Sequence, residues 1–158
     1  MTNKKTIELL EEYANKCLKA VGVDAGQGFC IGNGVESTII SNAQEKIKLK
    51  FSDEYVYFLH NYGETTIRSY DLYGLAQISM HGKKASVIDQ TNFYKNEQKW
   101  PDIENWYIIS DDGRGNPIGC KPDGSVWLSD HDAGFEQVKL ADNFEEFLHK
   151  LLTDTLYD

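Results

Sequence analysis

Along the first twenty residues, apolar side chains return every three or four positions. Ile7, Leu10, Ala14, Cys17 and Leu18 fall on one side of a helical projection, with Glu8, Glu11, Glu12 and Lys16 on the other. This predicts a helix from Thr6 to Ala20, with Cys17 in its core face. Five glycines between Gly22 and Gly34 then interrupt the pattern and read as a flexible connector, with a short extended piece at Phe29 to Ile31. Helical spacing resumes from Glu36 to Ile47 through Ile39, Ile40, Ala43 and Ile47, and Lys48 to Phe51 form a short link. A third helix follows. Ser52 stands at its N-cap, Asp53 and Glu54 face the positive end of the helix dipole, and Tyr55, Phe58, Leu59 and Tyr62 form its core face. Gly63 supplies the residue after the C-cap.

From Thr65 the period shortens to that of strands: Thr65 to Ile67, Tyr70 to Tyr73, and Ala76 to Ser79. A helix over Ala85 to Gln98, with Val87, Ile88, Thr91 and Tyr94 on one side, is stopped by Trp100-Pro101. Three short runs rich in β-branched and aromatic residues come next: Trp106 to Ser110, Pro117 to Cys120 and Val126 to Ser129. The turn signals between them are Asp112-Gly113-Arg114-Gly115-Asn116 and Pro122-Asp123-Gly124-Ser125. They predict an antiparallel meander, joined by a fourth strand at Gln137 to Ala141. Asp142-Asn143-Phe144-Glu145 has the form of a capping box, with Asp142 at the N-cap, and Phe144, Phe147, Leu148, Leu151 and Leu152 give the last helix its core stripe. Helices, then strands, then a closing helix describe an α+β fold, with an antiparallel-dominated sheet flanked by N-terminal helices and a C-terminal helix.

Composition narrows the class. The 158 residues, 41% hydrophobic and 12% aromatic, suit one folded domain over 1–158 and argue against disorder. The polar start shows no secretory h-region and no run approaches membrane-spanning length. Three scattered cysteines, Cys17, Cys30 and Cys120, have neither zinc spacing nor a disulfide framework, so a cytoplasmic setting is expected. The net charge of −9 is not spread evenly. Residues 1–100 balance 12 acidic against 12 basic side chains, whereas 101–158 hold 13 acidic and 4 basic. A field of that sign repels phosphate backbones and attracts basic partners, which argues against direct nucleic-acid binding.

Three pieces of the chain together resemble the SMI1/KNR4 family, the SUKH superfamily of bacterial immunity proteins. Ile47 to Gly63, with Leu49, Tyr55, Phe58, Leu59 and Tyr62, is similar to the family's helix pair. Trp106 to Asn116 resembles its hydrophobic strand followed by an Asp-Gly-x-Gly-Asp/Asn turn. Val126-Trp127-Leu128-Ser129-Asp130-His131-Asp132, followed by Ala141 to Leu148, resembles its Asp-His-Glu strand and terminal helix. The resemblance covers about residues 36–152 in order. Ser52 stands where the family usually has Pro, and Asn143 where it has Ser, both at helix starts that tolerate the exchange. The resemblance implies an α+β fold and, in bacteria, a non-catalytic cytoplasmic protein that binds and neutralises a cognate toxin domain, often a nuclease. Fungal relatives imply a different role, as regulatory scaffolds in cell-wall synthesis.

The chemistry-bearing residues cluster in the meander. Asp111, Asp112, Asp130, His131 and Asp132 offer oxygen and nitrogen donors for a hard divalent cation, but a calcium loop starting at Asp112 fails, with Arg114 at its third position and Pro117 at its sixth. There is no nucleophile elbow, and His131 has no His or Cys at zinc spacing. The same carboxylates also suit turns and strand ends. No catalytic residue, metal or cofactor is therefore assigned. The residues expected to meet a basic partner are Asp111, Asp112, Asp130, Asp132 and Glu136, with Trp127 as anchor; Trp100 and Tyr107 are further aromatic candidates that equally suit a core. His60, His81 and His149 have no evident partner set in the sequence.

Overall fold

The computed structural model describes residues 4–21 and 31–157, with side chains from 17 to 21 left out. The core position of Cys17, and the connector over residues 22–30 with the start of the extended piece at Phe29, lie outside the described residues. Three helices come first: α1 (Lys4–Val21), α2 (Ser37–Ile47) and α3 (Asp53–Asn61). A hairpin of β1 (Thr65–Ile67) and β2 (Tyr70–Leu72) leads to α4 (Val87–Asn92). The meander β3 (Tyr107–Asp111), β4 (Pro117–Cys120), β5 (Val126–Asp130) and β6 (Glu136–Ala141) is antiparallel in sequence order, and α5 (Phe144–Thr153) closes the chain. Among the described residues, five α-helices and two antiparallel sheets make the expected α+β fold. No described helix is long and apolar enough to cross a membrane.

Local chemistry explains most of these boundaries. Ser52 Oγ accepts from Tyr55 N at 3.3 Å to start α3, and Gly63 ends it in the left-handed region at φ 78°. The start of α5 is shifted by one residue from the expected cap. Asn143, not Asp142, is the N-cap and accepts from Glu146 N at 2.8 Å, while Glu146 Oε2 reaches back to Asp142 N at 3.0 Å. Asp142 instead pairs with Lys139 at 2.6 Å, which leaves the cap position to the Asn143 side chain. The predicted helix to Gln98 is α-helical only to Asn92 and continues as a wider π-helical turn, Phe93–Glu97.

Two expectations fail for reasons of packing. Residues 76–79 form no strand. Glu64, only 3% exposed, takes Ser79 Oγ at 2.7 Å and Met80 N at 2.8 Å, so a buried carboxylate replaces ladder partners and bends the segment. The glycines at 32 and 34 are not in a loose connector. Gly32 N donates to Glu64 O at 2.7 Å, and a Cβ on Gly34 would lie 1.7 Å from His60 O, so glycine here permits backbone-to-backbone contact. Ile31 forms a bridge with Thr65.

Strand alternation sorts the meander into two faces. Tyr107, Cys120, Val126 and Ala141 share one face through their register. There the Tyr107 ring meets Phe51 at 4.8 Å and Tyr55 at 5.5 Å, and Tyr55 meets Phe144 at 5.2 Å, which carries the core across to α3 and α5. Each of these buried rings contributes about 1.5–3 kcal/mol by leaving water. On the other face lie Ile108, Gly119, Trp127 and Lys139. Gly119 is required because a Cβ there would stand 2.7 Å from Trp106 Cε3. The free edge of β3 is met by α4, where Thr91 Oγ1 accepts from Ile108 N at 2.8 Å.

Candidate partner-binding site

The β3–β4 turn and the β5–β6 connection emerge at one end of the meander, and Asn116 ties them together. This side chain is 1% exposed. Its Nδ2 donates to Asp112 Oδ2 at 2.8 Å and lies 3.4 Å from Asp130 Oδ1, while its Oδ1 accepts from His131 N at 3.0 Å. Asp112 Oδ1 receives the backbone N–H groups of Arg114 and Asn116 at 2.8 and 3.1 Å, and Asp130 Oδ1 receives that of Asp132 at 2.9 Å. Asp111 Oδ1 accepts from Gly113 N at 2.7 Å, and its other oxygen accepts from the Tyr73 hydroxyl. The carboxylates are therefore turn-forming groups, and the turns in turn fix their positions.

Asp132 and Glu136 differ from these three. The Asp132 side chain is 75% exposed, with His131 Nε2 3.2 Å away, and Glu136 is exposed on the edge strand β6. Glu136 stands directly opposite Asp130 in the β5–β6 register, a like-charge pair that weakens the sheet locally. Among the described residues, no lysine or arginine forms an ion pair with Asp111, Asp112, Asp130, Asp132 or Glu136. The local potential reaches inward too. Tyr94 has its pKa pushed up to about 12, first by burial and then by the charges of Asp111 and Asp112. Tyr73 is raised further by burial and by its bond to Asp111.

Five of the six expected residues thus gather at one end, and Trp127 stands apart. Alternation points it to the opposite face from Asp130. Its ring is half-buried beneath Lys121 Nζ at 3.7 Å, and its N–H donates to Ser125 Oγ at 2.7 Å. Tyr107 is buried, its hydroxyl accepting from Ser52 N at 2.9 Å. Trp100 is the aromatic that reaches the acidic end. Its N–H donates to Ser129 Oγ at 2.8 Å, and its ring meets Phe135 at 5.1 Å and His131 at 6.0 Å, both near perpendicular. Phe135 and Asn116 are the residues that sequence reasoning missed. A large aromatic between Gly134 and Glu136 in a polar hairpin connection was the available signal for the first.

Asp130, His131 and Asp132 also offer one ligand atom each within 4.8 Å of one another. They are partly or fully exposed, Asp130 Oδ1 already accepts a backbone N–H, and His131 Nδ1 lies 2.5 Å from Asn116 Oδ1. The other histidines do have partners. His81 has a side chain only 3% exposed, with Nδ1 3.3 Å from Asp71 and Nε2 3.2 Å from Leu72 O. His60 Nδ1 is 3.0 Å from Val35 O, and His149 Nδ1 is 3.5 Å from Thr6 Oγ1.

Comparison with known proteins adds one finding to this geometry. The sequence model of the SMI1 / KNR4 family (SUKH-1) matches residues 34–150, a span that holds α2 to β6, most of α5 and the whole acidic end. No curated protein matches the chain.

Proposed function

The chain belongs to the SMI1/KNR4 family (SUKH-1), and from that premise we propose that it is an immunity protein acting in the cytoplasm as one domain. Family membership supports an immunity-protein-like role in general terms, since the family consists generally of non-enzymatic immunity or scaffold proteins. The finer reading is that it binds and neutralises a cognate toxin domain, basic in charge and of the nuclease class. The observation that carries this reading is the acidic end of the meander. Asp111, Asp112 and Asp130 are held there by turn hydrogen bonds, Asp132 and Glu136 are exposed beside them, and among the described residues no lysine or arginine forms an ion pair with any of the five. A basic surface would supply the missing cations, speed encounter and select the partner. Trp127, expected as the anchor, lies on the opposite face of the sheet with its ring beneath Lys121 and is not part of this surface.

The test is co-expression with the toxin domain encoded beside it, read as growth rescue, with co-purification of the tagged protein. Rescue with a stable one-to-one complex supports the proposal. Growth arrest with no complex sinks it and favours a regulatory scaffold of the fungal type.

A further inference from the structure

The four-stranded sheet has two edges, and the chain treats them differently. At the outer edge of β3, Ile108 N donates to Thr91 Oγ1 at 2.8 Å and Ile109 O accepts from Tyr73 N at 2.8 Å, so α4 and the residue after β2 satisfy that side. The other edge is β6. Its far end is closed: Leu140 and Ala141 are buried, and Leu140 O accepts from Lys150 Nζ at 2.8 Å. The stretch from Glu136 to Lys139 is open. Glu136, Val138 and Lys139 are exposed, and among the described residues the backbone of this stretch has no hydrogen-bond partner beyond β5. Gln137 reaches Asp102 O at 2.8 Å through its side-chain amide, which leaves its backbone unaffected. Such an edge is a template for a further strand. The usual guards against pairing are weak here, since Lys139 is held by Asp142 at 2.6 Å and the extra residue of the β6 bulge is Leu140, past the open stretch.

The side chains along the open stretch indicate which strand it suits. Glu136 and Val138 share one face of the sheet, opposite Asp130 and Leu128 in the register. Val138 is 41% exposed although its neighbour Leu128 belongs to the core. A strand laid along this edge sets an apolar side chain against Val138 and, two residues away on the same face, a cation against Glu136 and the adjacent Asp130. A second copy of this chain fits poorly, because each carries a net charge of −9 and its own edge offers Glu136 in place of that cation. We infer that the partner protein adds an extended strand to the open edge of β6, with a basic and an apolar side chain two residues apart on the Glu136–Val138 face. The backbone ladder then supplies affinity, and the carboxylates select the strand and its register. This rests on the immunity reading for the identity of the partner, but the edge itself can be examined without it.

The experiment is amide hydrogen exchange of the ¹⁵N-labelled protein, read residue by residue with and without the toxin domain. Along a strand, successive N–H groups point to opposite edges, so alternate amides of residues 136–139 exchange fast in the free protein. In the complex these slow by roughly tenfold or more, and cross-strand contacts to partner backbone protons appear beside them. For the same reason only one of Gln137→Pro and Val138→Pro removes an N–H from the β5 ladder. The other keeps its fold and weakens toxin binding about tenfold or more. A complex with β6 exchange unchanged overturns the inference and leaves the immunity reading intact. Slow exchange at this edge in the protein alone, growing with its concentration, assigns the edge to a second copy and also overturns it. Where no toxin complex forms, the immunity reading falls and a peptide decides the edge: acetyl-Thr-Lys-Thr-Val-Thr-Lys-Thr-amide against its counterpart with both Lys replaced by Glu. Saturable shifts of the amides of residues 136–139 with the basic peptide alone uphold the inference; equal shifts with both, or none, overturn it.

Discussion

Asn116 donates its side-chain amide to Asp112 Oδ2 at 2.8 Å, so a buried neutral group holds a surface carboxylate in place. The same residue accepts from His131 N across the sheet end. Asn116→Ala leaves that N–H and an Asp112 oxygen unsatisfied. It should cost about 1–3 kcal/mol, read as a lower urea midpoint with unchanged slope.

Glycine positions divide into two kinds with different costs. A Cβ at Gly74 would lie 1.6 Å from the carbonyl oxygen of Gly63, so the backbone itself must move. Gly74→Ala is expected to destabilise by about 3 kcal/mol or more, at the far end of single substitutions. Gly113 has φ 78° and nothing within 4 Å of a Cβ, so Gly113→Ala should cost only the left-handed penalty of about 1–2 kcal/mol. Thermal melts of the two variants separate steric from conformational cost.

Alkaline stability follows from buried phenols. Tyr55, Tyr73, Tyr94 and Tyr107 all have raised pKa values, each chiefly through burial, and Tyr94 lies at about 12. The unfolded chain loses these protons near the ordinary value of 10, before the folded chain does. Stability is therefore complete below about pH 10 and falls as pH rises through 10 toward 12. Melting temperatures between pH 8 and 11.5 should hold, then drop. Tyr94→Phe, which has no proton to lose there, should soften the drop.

The helices and the meander were legible because their signals are local: period, caps and Pro-Asp-Gly turns act within a few residues. The cap of α5 is ambiguous by one residue because Asp142 and Asn143 are both good caps, and the ion pair of Asp142 with Lys139, three residues before it, decides between them. The bend at 76–79 was not legible at all, since its cause, the Glu64 carboxylate, sits fifteen residues away from Ser79. At the candidate site the carboxylates were visible as a cluster, but their shared link through Asn116 is a contact between turns. Trp127 and Trp100 looked equivalent in sequence. The strand register and the position of Lys121 separate them.

The central claim is that the acidic end of the meander meets a basic partner, and Asp132→Asn with Glu136→Gln tests it most directly. Both side chains are exposed, and removing the Glu136 charge relieves its opposition to Asp130, so folding stability should hold or rise slightly. The measurement is the association rate with the toxin domain in low and physiological salt, against an exposed control change on α2, Glu45→Gln. The account predicts a roughly tenfold slower association at low salt, a flatter salt dependence and no effect of the control. Unchanged association of the folded double variant at both salt concentrations would contradict it.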